Sequence, residues 1–176
     1  MWMVGERDYA NLVNSVGRTW AMKDARDAID WASDIKDARL RDTALVTIAE
    51  SWANKAPVEA ANWALMFPDD KQRVNAVQRT TSRWAYRDPA SAAAFLAEQS
   101  PTENGSAYAS VGSIWARNGV PQQAAAWAND IKDTTVRNRT LENIGRSWMK
   151  RDPETASDWV IKSNLPEASK QSLLAQ

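Results

Sequence analysis

Apolar side chains along this chain recur at helical spacing, and short polar turns separate the stretches that carry them. In residues 38–55, the apolar residues at i, i+3, i+4 and i+7 share one face of an α-helix: Leu45, Ile48, Ala49 and Trp52. No stretch alternates apolar and polar residues at the period of two that indicates a strand. The pattern predicts an all-α protein.

Aromatic residues mark an internal repeat within this helical pattern. A first column recurs at spacings of 32, 32, 31 and 33 residues: Trp20, Trp52, Trp84, Trp115 and Trp148. A second column follows it after 11 residues, or after 12 in the fourth unit: Trp31, Trp63, Phe95, Trp127 and Trp159. Five units that match at both columns predict five helical hairpins, each with a first helix and a shorter second helix.

The turns between the two helices of a unit carry helix-start signals. Asp88-Pro89 and Asp152-Pro153 combine a favoured N-cap with a favoured first helical residue. We therefore predict a single repeat array over 1–176, with units at approximately 6–36, 37–68, 69–100, 101–133 and 134–163 and a terminal half unit at 164–176. Both ends look cut, because the last residues resemble the start of another first helix and Trp2 resembles the end of an earlier second helix. The chain is then either a capped array or a piece of a longer one.

The repeat resembles the tetratricopeptide-like α-solenoids over residues 6–163. More narrowly, strings such as WAYRDPASAAAF and WMKRDPETASDW are similar to Trp-rich bacterial hairpin repeats of the type W-A-x-x-D-P-x-x-A-x-x-W. The period of 32, the Pro between the two helices and the extra Trp columns depart from the tetratricopeptide pattern. The resemblance implies a right-handed α-solenoid of about five hairpins plus a terminal helix, which binds peptides or proteins and has no catalytic residues.

The Trp columns and a column of small residues are expected to form the core. One repeat is too small to bury its own apolar face, so it must pack on its neighbours. Each Trp buries roughly 150–250 Å². Three residues before each first-column Trp the side chain is small, which predicts close approach of a neighbouring helix: Gly17, Ala49, Thr81, Gly112 and Gly145.

Composition excludes several classes of function. The 176 residues include no Cys and no His, so disulfides, Cys or His zinc sites and Ser–His or Cys–His catalysis are excluded. We predict no cofactor and no enzymatic activity. The lack of a signal segment and of a long apolar run favours a cytoplasmic protein without membrane attachment. Acidic pairs such as Asp34/Asp37 and Asp130/Asp133 are interpreted as helix caps rather than metal ligands.

The net charge of zero conceals a division between the two kinds of helix. First helices with their leading turns sum to +10, and second helices sum to −10. Lys23, Lys55 and Arg87 lie near helix C-termini, where cations suit the helix dipole. Arginines in the first turns, among them Arg41, Arg73 and Arg137, do not fit that explanation. The resemblance implies that first helices line the concave face, and on that basis we predict a partner-binding stripe: Arg41, Arg73, Arg79, Arg83, Arg137 and Arg146. The alternative is that these arginines pair with acids of the preceding turn.

The sequence therefore predicts a protein-interaction scaffold or adaptor that holds an acidic segment of a protein partner on a basic concave face. Two alternatives remain open. One is nucleic-acid or anion binding by the arginine stripe, which a pI of 6.3 disfavours. The other is a self-assembling segment of a larger array, or a small inhibitor of a partner protein. The sequence does not identify the partner, the process or the oligomeric state.

Overall fold

A computed structural model describes residues 6–175, and eleven helices account for the secondary structure in that range, without any strand. The all-α prediction is confirmed, while the interpretation of Trp2 lies outside the described residues. In chain order the helices are α1 Glu6–Ala21, α2 Ala25–Ser33, α3 Ala38–Trp52, α4 Pro57–Ala64, α5 Asp70–Ala85, α6 Pro89–Ala97, α7 Pro101–Asn118, α8 Pro121–Asn129, α9 Thr134–Met149, α10 Pro153–Lys162 and α11 Glu167–Leu174.

Acidic caps start six of these helices. The carboxylate of each cap accepts hydrogen bonds from backbone N–H groups two or three residues later: Asp24, Asp37, Asp69, Asp88, Asp133 and Asp152. Pro89 and Pro153 occupy the first turns of α6 and α10. An N-cap oxygen satisfies N–H groups that have no partner inside the helix. The predicted helix starts at Asp88-Pro89 and Asp152-Pro153 are therefore confirmed.

The chain divides into two compact units, the first ending at Arg83 and the second beginning at Trp84. In the first unit, α1 packs on α3, α2 contacts both, and α4 packs on α3. In the second unit, α7 packs along α9 and α8 contacts both. There α6 also contacts α7, and α10 and α11 contact each other and α9. Consecutive first helices thus lie side by side within each unit.

Small residues permit this side-by-side contact. A Cβ added to Gly112 of α7 would lie 2.9 Å from Cγ2 of Thr140 and 3.1 Å from Cδ1 of Ile144, both on α9. A Cβ at Gly17 of α1 would lie 3.2 Å from Cγ1 of Ile48 on α3. The predicted close approach of a neighbouring helix is confirmed at these two glycines.

The residues of the two aromatic columns contact each other in pairs. Ring centroids of the paired residues lie between 5.5 and 6.4 Å apart in all five pairs. Trp84, Trp115 and Trp148 are buried, and the other members of the columns are partly buried. The fully buried Ala28 belongs to the core cluster against which Trp20 and Trp31 pack. The columns therefore contact each other between consecutive helices, from α1 and α2 to α9 and α10.

The fourth unit departs from the repeat. Asn104 stands 11 residues before its first-column Trp, the position that Arg41, Arg73 and Arg137 occupy in their units. It is buried and has φ −107° and ψ 20° inside α7. Its side-chain Nδ2 donates to the carbonyl of Ser100 at 3.2 Å. Four residues later Tyr108 occupies a column that is aliphatic elsewhere, and its hydroxyl donates to the carbonyl of Leu96. Its ring stacks on Trp127 with centroids 5.6 Å apart.

Candidate functional site

The turn arginines of the predicted stripe bind their own backbone. Nη1 of Arg73 donates to the carbonyl of Phe67 at 3.1 Å, and its other terminal nitrogen pairs with Asp70. Nη1 of Arg137 donates to the carbonyl of Ile131 at 3.0 Å, the same offset of six residues. Both side chains fasten the start of a first helix to the turn before it. This arrangement gives both guanidinium groups a structural task.

The other arginines of the predicted stripe in the first unit, Arg41, Arg79 and Arg83, have acidic partners. Nε of Arg41 lies 3.6 Å from a carboxylate oxygen of Asp42. Arg79 and Arg83, one turn apart on α5, both pair with Glu50 of α3. The separation is 3.0 Å for Arg83, and each of the two keeps about 40% of its side chain exposed. The structure thus brings Arg79 and Arg83 together around one carboxylate.

Arg146 lies in a different setting, a groove between the C-terminal halves of α7 and α9. We call this the basic groove. Its volume is about 390 Å³, and its lining comprises four exposed cations and three small polar residues: Arg117, Arg146, Lys150 and Arg151 with Ser113, Asn143 and Ser147. Of the six predicted arginines, the groove lining includes only this one.

Arg151 is positioned by the end of the neighbouring first helix. Its Nη1 donates to the carbonyl of Gly119 at 2.7 Å and lies 3.3 Å from the carbonyls of Ala116 and Arg117. These carbonyls belong to the C-terminus of α7, where helix carbonyls lack intrahelical partners and the dipole favours a cation. The contact fixes the guanidinium at the groove wall and ties α9 to α7.

Lys55 makes the corresponding contact in the first unit. It stands three residues after its Trp, as Arg151 does, and its ammonium lies 3.3 Å from the carbonyl of Lys23 after α1. The sequence places these cations at the ends of their own helices. The structure shows that they also cap the preceding first helix.

The other groove residues have neutral partners. Nη1 of Arg146 donates to the side-chain oxygen of Asn143 at 2.9 Å. Nη2 of Arg117 lies 3.3 Å from the hydroxyl of Tyr86, and the guanidinium carbon lies 6.0 Å from the centroid of that ring. The hydroxyls of Ser113 and Ser147 are 2.7 Å apart across the two helices. These contacts orient the side chains, and none of them involves a carboxylate.

The electrostatic character of the groove follows from this set of partners. No carboxylate lines the groove, and among the described residues none of its four cations has a carboxylate oxygen within 4 Å. Several like charges around one concave surface add their fields and attract an anion. Arginine presents a planar fork that matches a carboxylate or phosphate, while lysine acts as a point charge. The arrangement suits an anionic ligand with more than one charged group.

The partner-binding site predicted from the sequence does not include three of the four groove cations. Lys150 and Arg151 read as ordinary C-terminal cations of α9, and Arg117 is the single cation of its helix. Only the packing of α7 on α9 collects them in one place. One sequence feature could have identified two of them, because Arg117 and Lys150 both stand two residues after their first-column Trp.

The acidic pairs that we interpret as helix caps rather than metal ligands lie at the ends of helices. Asp37 accepts from the N–H of Leu40 at 2.9 Å, and Asp133 accepts from the N–H of Val136 at 2.8 Å. Asp34 and Asp130 end the preceding second helices α2 and α8. Each pair therefore brackets a turn between two helices. Within residues 6–175, no helix has the length and apolar character that crossing a membrane requires.

Comparison with protein-family models, with curated proteins and with solved structures found no significant match to this chain. The basic groove thus rests on its own geometry.

Proposed function

We propose that this protein is a non-catalytic interaction module that holds an acidic segment of a partner protein in the basic groove. The observation that carries the proposal is the gathering of Arg117, Arg146, Lys150 and Arg151 around a groove that no carboxylate lines. The whole chain has 22 basic and 22 acidic residues, so a groove lined by four cations and no carboxylate departs from its balanced charge. Binding of an acidic ligand explains this local excess of positive charge.

The dimensions of the groove favour a short segment. A volume of about 390 Å³ is near the lower end of the range of small-ligand pockets, so it admits a few side chains. Arg146 and Arg117 offer guanidinium forks to carboxylates, and Lys150 adds an exposed ammonium. The hydrogen-bonded pair of Ser113 and Ser147 retains one hydroxyl hydrogen that can donate to a ligand. A contact of this size with exposed charges is weak and sensitive to salt. These properties fit an adaptor that exchanges partners.

We also propose that the repeats form an α-solenoid, as the resemblance to tetratricopeptide-like repeats implies. The packing of α1 on α3 and of α7 on α9 supports this proposal, because consecutive first helices lie side by side in a solenoid. A solenoid scaffold presents its first helices as one surface. The groove between two such helices then belongs to the binding face.

A peptide titration tests the proposed function. The probe is a fluorescein-labelled ten-residue peptide of alternating Asp and Glu, and its control is the Asn and Gln analogue. We compare the native chain with an Arg146→Gln/Lys150→Gln variant and with a Lys71→Gln/Arg139→Gln variant. Both variants lose two positive charges, but Lys71 and Arg139 are exposed residues outside the groove lining.

We expect the acidic peptide to bind the native chain and the outer variant alike, and the groove variant at least about tenfold more weakly, a difference of about 1.4 kcal/mol. Equal affinities for the two variants would show that binding follows net charge, and the groove would lose its role. A single-stranded oligonucleotide of the same charge is the third probe. If it binds the native chain more tightly than the peptide does, the nucleic-acid alternative replaces this proposal.

A further inference from the structure

Helix α1 carries an apolar face that is open to solvent. Leu12 is 56% exposed and Val16, one turn later, is 40% exposed. Tyr9, at 53% exposure, extends the same face by one turn toward the helix N-terminus. A helix spacing of three and four residues places these three side chains in one row. We call this row the α1 face.

The same positions are fully buried in other first helices. Relative to the first-column Trp, Leu12 stands at minus eight and Val16 at minus four. The residues at these two positions in α3, α5 and α9 all have 0% exposure: Ala44 and Ile48, Ala76 and Thr80, and Thr140 and Ile144. The α1 face is therefore the one place among these four helices where the repeat leaves this surface uncovered.

The contacts within the units show what covers such a face. Ile48 of α3 lies against α1, where a Cβ on Gly17 would be 3.2 Å away. Thr140 and Ile144 of α9 lie against α7 at Gly112. In both cases the cover is the preceding first helix. The residues of the α1 face thus occupy the positions that contact a preceding first helix elsewhere in the chain. A terminal repeat without a neighbour on that side needs a polar outer face, and the α1 face is apolar.

Helix α11 is the last described first-type helix of the chain. It packs on α9 as a following first helix does, with Leu173 1% exposed and its Cδ1 3.0 Å from a Cβ placed on Gly145. The next residue, Leu174, is 42% exposed. Helix α11 therefore has one side on its predecessor and one apolar residue outside that contact.

We propose that α11 of one copy of this chain docks on the α1 face of a second copy. The contact continues the interface that already joins consecutive first helices within each unit, with Leu174 meeting the row of Tyr9, Leu12 and Val16. Such a contact is head-to-tail, so each copy offers one donor and one acceptor, and association extends to chains rather than stopping at a two-fold dimer. This proposal does not depend on the basic groove.

Sedimentation velocity over a concentration series tests the proposal. We expect the mean mass of the native chain to rise with concentration. A Leu12→Glu/Val16→Glu variant and a Leu174→Glu variant should each remain monomeric, because each has lost one half of the contact. Met66→Glu is the matched control, since Met66 is 76% exposed outside both surfaces, and it should associate as the native chain does. Circular dichroism verifies that each variant is folded.

Mixing the two charged variants gives the decisive measurement. The α1 variant retains an intact α11, and the Leu174→Glu variant retains an intact α1 face. An equimolar mixture should therefore form dimers and no longer species, because the two mutated surfaces close its ends. Monomers in the mixture, native chains that stay monomeric up to about 1 mM, or native-like association of the Leu174→Glu variant would each overturn the proposal.

Discussion

The indole nitrogen of Trp148 donates a hydrogen bond to Oγ1 of Thr155, 3.0 Å away. The same hydroxyl donates to Oδ2 of Asp152 at 2.6 Å, and Oδ1 of Asp152 accepts from the N–H of Thr155 at 3.2 Å. A buried Trp of the first column is thus linked to the cap of the second helix. The hydrogen bond from the Thr155 side chain is the main reason why the pKa of Asp152 is below its ordinary value of 3.8.

This lowered pKa predicts how stability depends on acid. A carboxyl whose pKa is lower in the folded than in the unfolded chain stabilises the fold above its unfolded pKa. That contribution is lost as the pH falls from about 5 through the lowered pKa. Asp152→Asn retains a capping oxygen but not the charge. We expect the native chain to be more stable than this variant at pH 7 and the difference to shrink below about pH 4, as measured by urea unfolding.

Thr155→Val supplies the control for the acid prediction. It removes the hydroxyl and keeps the β-branched shape, so the pKa of Asp152, followed by carboxyl NMR, should rise toward its ordinary value. The prediction would be contradicted if the difference in unfolding free energy between the native chain and Asp152→Asn stayed constant from pH 7 to pH 2.

Gly112→Ala is expected to destabilise the second unit. The added Cβ would lie 2.9 Å from Thr140 and 3.1 Å from Ile144, both fully buried, so α7 and α9 must separate slightly. Overpacking costs about 1–3 kcal/mol, and the higher helix propensity of Ala returns about 1 kcal/mol. We expect a net loss of about 1 kcal/mol in the free energy of unfolding.

Gly105→Ala is the matched substitution on the same helix. Its added Cβ would contact only Val136, at 3.2 and 3.7 Å. The unfolding free energy of this variant should change less than that of Gly112→Ala. If the two alanines prove equally tolerated, the close approach at Gly112 has no energetic consequence.

Much of the fold follows from local sequence signals. Asp88-Pro89 and Asp152-Pro153 carry cap and first-turn chemistry that acts within four residues, so both helix starts can be read without tertiary information. The aromatic columns likewise predict which faces of a hairpin meet, because their spacing is fixed by the helix. Tyr108 is different, since the repeat gives no reason for an aromatic residue at an aliphatic position.

The candidate site follows much less directly from the sequence. Charge counting placed the binding stripe at residues that include Arg73 and Arg137, whose guanidinium groups reach backbone carbonyls of the preceding turn. Every residue has a backbone carbonyl, so the sequence does not show which carbonyl accepts from an arginine, whereas an acidic side chain is visible in the sequence as a possible partner. The basic groove depends on α7 and α9, which α8 separates along the chain, so its cations become neighbours only through packing. Their partner-binding role, and that of the predicted stripe, stays a prediction.

The turn arginines provide a test that separates stability from binding. Arg73→Gln and Arg137→Gln each remove a hydrogen bond from a guanidinium to a turn carbonyl. For a partly exposed contact we expect a loss of about 0.5–1.5 kcal/mol per variant in chemical unfolding. Binding of the acidic peptide should change by less than about twofold, because neither side chain lines the groove. A large loss of peptide binding with native stability would instead return these arginines to the binding surface.

Tyr108 makes the last prediction, at alkaline pH. Burial raises the pKa of its hydroxyl to about 12, from 10.0. A group whose pKa is higher in the folded chain than in the unfolded chain stabilises the fold at pH values below its unfolded pKa. For Tyr108 this contribution is lost as the pH rises from 10 to about 12. Tyr108→Phe keeps the stacked ring on Trp127 but does not titrate.

At pH 7 the Phe variant should be less stable by about 1 kcal/mol, because the carbonyl of Leu96 loses its hydrogen bond. As the pH rises above 10, the native chain should lose this advantage, and the two unfolding free energies should converge or cross. Spectrophotometric titration should show one tyrosine fewer ionising near pH 12 in the variant. A constant stability difference between pH 7 and pH 11.5 would mean that the Tyr108 hydroxyl ionises as readily in the folded chain as in the unfolded one.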